Sequence, residues 1–325
     1  MGRHSSNAAR PRRAGARGPT RVTNAPASDL VSDRRLAPPR FAKTADGTAY
    51  RVFGEGEPLV LMHGGAGSWE HWVLNVDALA TAFRVVALDL PGYGDSDRPE
   101  WDIPTEDYLA EVADAVTEIC GDTPRIHLAG FSFGGLVAAA TAVALGPRAA
   151  SLSMTGGAGY GPPTGRTFTL ESRRKLAKRL GRAPTEQELR DMHAENLAKL
   201  MIWDRTKIDD WAIDMQFRNV ERTRFDSRRL SWSADTPALI GDLTCPVAVI
   251  YGEHDAAAVP PIEHRFALCH AVRHDVETHV IPGCGHWAMY EAPEVLNGFC
   301  STFTAGPARK PPQKRVPHHE DRRSR

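Results

Sequence analysis

Ser132 stands in Gly130-Phe131-Ser132-Phe133-Gly134, directly after the apolar run 126–129 and directly before residues 136–145, a stretch of small helix formers. A serine on so tight a strand-to-helix corner presents its hydroxyl for nucleophilic attack, and the turn demands small residues two positions to either side. Gly130 and Gly134 meet that demand. The hydroxyl remains a poor nucleophile until a base takes its proton, so the corner needs a histidine and a group to orient it. Two downstream segments supply them. Gly252-Glu253-His254-Asp255 follows the apolar run 247–251, and Pro282-Gly283-Cys284-Gly285-His286 follows the run 278–281. Spacing alone does not choose between Asp255 and Glu253. Among thirteen histidines, His286 is the one that follows a strand candidate through a glycine-rich turn.

These residues need a frame that brings distant loops together. Residues 58–62, 84–88, 126–130, 151–155, 247–251 and 278–281 read as short strands, most of them apolar on both faces. That pattern marks parallel strands covered by helices on each side. Residues 69–83 and 105–120 carry helical periodicity and supply the cover. The expected fold is α/β, a doubly wound, mostly parallel sheet, and the carboxyl ends of its strands gather loop residues over one edge. From residue 157 to 243 no strand candidate occurs. A capping box, Thr185-Glu186-Gln187-Glu188, opens a helix there, so this stretch is expected to be an inserted helical lid. Its Trp203, Trp211, Phe217, Phe225 and Trp232 offer aromatic surface to pack on the sheet and roof an apolar pocket. The expected organisation is a disordered basic extension over 1–42, core over 43–156 and 244–305, the lid over 157–243, and a disordered basic tail over 306–325.

The chain order Ser, Asp, His resembles that of the α/β-hydrolase fold. The likeness extends to His63-Gly64-Gly65, to the turn Asp89-Leu90-Pro91-Gly92-Tyr93-Gly94-Asp95-Ser96 and to Gly285-His286. It implies that Ser132 is the nucleophile, His286 the base and then the acid, and Asp255, rather than Glu253, the carboxylate behind it. It also implies an oxyanion hole from the backbone N–H groups of Gly65 and Phe133, with His63 shaping the loop rather than reacting. Within that family the serine argues against dehalogenases and epoxide hydrolases, which carry aspartate at this position. The chain partly resembles carbon–carbon hydrolases of ring-cleavage products through Trp287 after His286, Trp69 and Asn75 after the oxyanion loop, and Arg218 in the lid. Arg218 is expected either to bind a substrate carboxylate or to face solvent with Arg222, Arg224, Arg228 and Arg229. The elbow departs from that group, with Phe131 where asparagine commonly precedes the serine, and the oxyanion loop lacks its Gly-Pro-Gly. The resemblance therefore implies a carboxylic ester as substrate first and a ring-cleavage diketo acid second. Phe131, Trp69, Trp287 and Arg218 are the substrate-contact candidates. A member of the fold that binds a ligand without turning it over is the reading from another class.

Composition narrows the partners. Forty Lys plus Arg balance forty Asp plus Glu, which gives no electrostatic reason to bind nucleic acid or an anionic membrane, so a small-molecule substrate is expected. Five scattered cysteines without a C-x-x-C pair argue against a disulfide framework and a zinc knuckle, and with no apolar export segment they point to a cytoplasmic protein. The Arg-rich start also resembles a transit peptide, although Pro11, Pro19 and Pro26 interrupt any amphipathic helix. His264, Cys269, His270 and His274 match no standard metal spacing, and no Gly-x-Gly-x-x-Gly opens a helix after a strand, so neither metal nor nucleotide cofactor is expected.

Overall fold

The structure is a computed structural model and describes residues 39–100 and 102–305. Eight strands form one sheet: β1 (Arg40–Lys43), β2 (Ala49–Phe53), β3 (Pro58–Met62), β4 (Arg84–Leu88), β5 (Ile126–Phe131), β6 (Ala149–Thr155), β7 (Val247–Gly252) and β8 (Glu277–Ile281). Their spatial order is β1-β2-β4-β3-β5-β6-β7-β8. β1 and β2, and β2 and β4, pair antiparallel, and every other pair is parallel. The doubly wound, mostly parallel α/β sheet read from the sequence is the fold found, and all six strand candidates lie in it. β1 and β2 were not legible. Residues 40–42, expected in a disordered extension, instead form most of β1; the rest of that extension up to residue 38, and the whole tail 306–325, lie outside the described residues.

The helices in chain order are α1 (Val76–Leu79), α2 (Thr105–Cys120), α3 (Phe133–Leu145), α4 (Arg173–Leu180), α5 (Glu186–Asn196), α6 (Asp210–Glu221), α7 (Arg228–Ser233), α8 (Thr236–Gly241), α9 (Ile262–Val272), α10 (Ala288–Glu291) and α11 (Pro293–Ala305). The 69–83 segment is less helical than its periodicity implied, with a 3₁₀ turn at Trp69–Trp72 and then only the short α1. In α2 the buried positions Tyr108, Val112, Ala115 and Val116 recur at three- and four-residue spacing and give one core-facing stripe. α3 is buried nearly all round, and its alanines and paired glycines let it sit close on β5 and β6.

Between β6 and β7 the chain leaves the sheet and makes α4 to α8, touching a strand-like partner only through the isolated bridge Tyr160–Asp235. The capping box is present: the Thr185 hydroxyl accepts from the Glu188 N–H while the Glu188 carboxylate reaches back to the Thr185 N–H. α5 then continues as a single π turn, Leu197–Met201, to Ile202. Among the described residues no helix is long and apolar enough to cross a membrane.

The sheet order explains where a site can form. From β3 the chain steps to β4 on one side, and β5 returns on the other side of β3. Loops leaving the carboxyl ends of β3 and β5 therefore diverge and open a crevice at that switch point. His63-Gly64-Gly65 leaves β3 and Ser132 leaves β5, so both border it.

Candidate active site

Ser132 has φ 52° and ψ −116°, a positive-φ conformation that a residue with a Cβ rarely adopts. Among the described residues only one other non-glycine, Ala66, has positive φ, and it too lines the crevice. Strain of this kind persists where the surroundings over-determine it. Here the surroundings are backbone. A Cβ on Gly130 would come within 2.2 Å of the Gly134 carbonyl oxygen, and one on Gly134 within 2.4 Å of the Met62 oxygen. The glycines thus let α3 press its first turn onto the ends of β5 and β3, and Ser132 takes the conformation that this closure leaves.

The loops after β7 and β8 interlock at the neighbouring end of the sheet. A Cβ on Gly252 would meet the Gly285 oxygen at 2.0 Å, and the His254 N–H donates to the Cys284 oxygen at 2.8 Å. Their contact brings Asp255 to His286. Asp255 Oδ2 lies 2.9 Å from His286 Nδ1, and His286 Nε2 lies 3.0 Å from Ser132 Oγ. An ionised carboxylate can only accept, so Nδ1 carries the proton and Nε2 is free to accept from the serine hydroxyl. Both side chains are almost wholly buried. Glu253, the competing carboxylate, instead accepts the Gly283 N–H at 2.9 Å and is half exposed.

A residue that the sequence reading missed holds the histidine loop to the helical insertion. The buried Glu291 accepts the Gly285 N–H at 2.6 Å on one oxygen, and the Trp203 and Asp204 N–H groups at 3.1 and 2.9 Å on the other. The Trp287 N–H adds a bond to the Met201 oxygen at 2.7 Å. The loop bearing His286 is therefore fixed by the segment that covers it.

On the opposite wall, His63 Nε2 accepts the Leu90 N–H at 2.9 Å, which puts its proton on Nδ1, 2.7 Å from the Gly64 oxygen. Burial lowers its pKa and keeps it neutral. Both ring nitrogens are thus spent on the loop. Asp89 anchors the same region: it pairs with Arg51 at 3.0 Å and accepts the Trp69 and Asp95 N–H groups at 2.8 and 2.9 Å. Burial alone would push its carboxyl up, but the Arg51 cation and the two N–H donors outweigh burial and hold it below the usual range. Its stabilising contribution is accordingly present above the unfolded carboxylate pKa and is lost as pH falls through the folded one. Gly65 lines the crevice, and Phe133 is the first residue of α3. Among the described residues no protein acceptor takes the N–H of either, and the positive end of α3 points the same way.

Ser132 and His286 open into a cavity of about 700 Å³ between the sheet edge and the insertion, which contributes Leu200, Met201, Phe225 and Trp232 to its wall. Of the expected contact residues, Phe131 lines it and packs on the His286 ring at 4.8 Å between centroids. The other three stand outside its wall. Arg218 does not reach the cavity: its Nη2 lies 3.3 Å from Glu70 Oε1, a buried carboxylate on the 3₁₀ turn. Trp287 turns away from the serine, donating Nε1–H to the His71 oxygen at 3.0 Å and stacking on Tyr290. Trp69 is buried beneath the Arg51 guanidinium, 4.9 Å from it. Asn75 donates to Asn297 at 2.9 Å, so its amide ties α1 to α11. Of the insertion's other aromatics, Trp203 stacks on His254 and Phe217 packs on His193, both outside the cavity wall. The five cysteines are all free and buried. Among the described residues no group of three or more His, Cys, Asp or Glu side chains could hold a metal ion.

Comparison with known proteins follows the same lines. Residues 59–299 match the sequence profile of the alpha/beta hydrolase family. The chain is similar to a 2-hydroxy-6-oxononadienedioate/2-hydroxy-6-oxononatrienedioate hydrolase of Paraburkholderia phymatum, 30% identical over 294 residues that cover 85% of this chain and 99% of that one. It is also similar to a 2-hydroxy-6-oxo-6-phenylhexa-2,4-dienoate hydrolase of Burkholderia cepacia, 26% identical, covering 78% of this chain and 89% of the other. Among solved structures, an esterase from Rhodococcus sp. superposes with a TM-score of 0.63 at 26% identity over 82% of this chain and 98% of its own. A meta-cleavage product hydrolase from Pseudomonas fluorescens, at 24% identity and a TM-score of 0.60 over 82% and 94% of the two chains, shares the fold.

Proposed function

Because the chain belongs to the alpha/beta hydrolase family, we propose that it is a serine hydrolase cleaving a small carboxylic ester through an acyl-enzyme. One observation carries this reading: the hydroxyl, imidazole and carboxylate of Ser132, His286 and Asp255 stand in line at 3.0 and 2.9 Å, on an elbow that exposes the hydroxyl to a cavity. In the proposed course His286 Nε2 takes the Ser132 proton as Oγ attacks the ester carbonyl. The Gly65 and Phe133 N–H groups receive the developing oxyanion, each worth about 3–4 kcal/mol in the transition state. The imidazolium, stabilised by Asp255, then protonates the departing alcohol. A water deprotonated by the same nitrogen hydrolyses the acyl-enzyme and restores the serine. The insertion acts as a lid that excludes bulk water from these steps.

Phe131 supports an ester over a carbon–carbon bond. Its ring forms the wall beside the serine and offers no donor to a dienolate. The second reading, cleavage of a ring-fission diketo acid, is favoured by the activity named for the bacterial relatives. A substrate panel separates the two. Short p-nitrophenyl esters are expected to turn over with a higher kcat/KM than 2-hydroxy-6-oxo-6-phenylhexa-2,4-dienoate; the reverse order would make carbon–carbon cleavage the function.

A further inference from the structure

The cavity wall carries five arginines, Arg98, Arg166, Arg224, Arg228 and Arg265, against a single acid, Asp226. Four of the five, Arg98 among them, are committed to neighbours. Arg265 is buried and donates all five N–H groups, to the oxygens of Gly157, Ala257, Val259 and Pro260 and to the Tyr251 hydroxyl, at 2.8–3.1 Å. Arg224 donates to the backbone oxygens of Gly94, Ser96 and Arg222. Arg228 forks onto the Asp226 carboxylate. Arg166 differs: its Nε is buried and has no hydrogen-bond partner, and its guanidinium lies 5.3 Å from the centre of the Phe168 ring.

A buried guanidinium N–H without an acceptor is costly. Burial, followed by the charge of Arg265, opposes the Arg166 cation, whereas the Asp255 carboxylate supports it. Arg166 and His286 line the same cavity. An arriving anion would supply the missing acceptor and offset the surplus positive charge of the wall.

We infer that Arg166 receives a carboxylate carried by the substrate, so that the preferred ester is a monoester of a dicarboxylic acid. This rests on the ester-hydrolase reading above and narrows its substrate class. The guanidinium fork matches a carboxylate in two hydrogen bonds, which an ammonium cannot copy. The neutral composition of the whole chain hides this, because the charge asymmetry is confined to one wall.

Mono-p-nitrophenyl adipate and p-nitrophenyl hexanoate form a matched pair that differs only in the terminal carboxylate. The wild type is expected to prefer the adipate. Arg166→Gln should raise KM for the adipate by about 10- to 100-fold, the worth of a hydrogen bond to a charged group, and leave hexanoate within about twofold. Arg166→Lys should recover part of the loss. Equal effects on both esters, or a wild type that favours hexanoate, would overturn the assignment. A readout without turnover distinguishes failure here from failure of the catalytic reading: adipate titrated calorimetrically into Ser132→Ala protein should bind, and bind at least about tenfold more weakly when Arg166→Gln is added. Absence of adipate binding to the Ser132→Ala protein, or equal binding to both proteins, contradicts the role of Arg166 whatever the fate of the serine.

Discussion

Ser132→Ala is expected to lower kcat for p-nitrophenyl esters by about 10⁴- to 10⁶-fold while the circular dichroism spectrum stays unchanged. Removal of Oγ takes away the bond-forming atom but leaves the Gly65 and Phe133 donors, so a residue of activity above water should survive from oxyanion binding alone. Packing changes little, because the hydroxyl has one described side-chain partner, His286 Nε2. Kinetics within about tenfold of wild type would remove the nucleophile from the account.

Asp255→Asn is expected to cost about 10⁴-fold in kcat, nearly as much as loss of the nucleophile, although it alters one atom. The reason lies in the second carboxylate oxygen. Asp255 Oδ1 accepts the Ala257 N–H at 2.8 Å, so an asparagine would keep its carbonyl there and turn its NH₂ toward His286. The imidazole would then accept at Nδ1 and carry its proton on Nε2, where it can no longer take one from Ser132. The check is the pre-steady-state release of p-nitrophenol, expected to slow in parallel with kcat. A loss below about tenfold would mean that Asp255 does not set the tautomer.

The elements that place these groups were legible where chemistry is local. The strand-corner-helix at Ser132 depends on glycines two residues away, and the capping box at Thr185 on a glutamate three residues away. Ser132 and His286 stood out from strand ends and the parallel sheet that both-face-apolar runs dictate, whereas Asp255 was preferred over Glu253 only through the resemblance to the family. What failed to show is what depends on partners far along the chain. β2 looks unlike a strand because Arg51 interrupts Ala49–Phe53, and that charge is tolerable only because Asp89 and Asp95 arrive from beyond β4. Position left Arg218 between the pocket and solvent, and its pairing with Glu70, in a different part of the sequence, could not be read from it. Arg166 lies in a Gly- and Pro-rich stretch with no periodicity to report its direction. Glu291 gave no signal, since its three partners are backbone N–H groups, two of them, at Trp203 and Asp204, remote in the chain.

The proposed ester hydrolysis passes through a covalent intermediate on one oxygen, Ser132 Oγ. Protein mixed with p-nitrophenyl butyrate, quenched in acid within the first turnovers and digested, can be read by peptide mass. A butyryl group is expected on the peptide containing Ser132, formed with a stoichiometric burst of p-nitrophenol and absent in Ser132→Ala. Steady turnover by the wild type with that peptide unmodified, or with the acyl group on another residue, would contradict it.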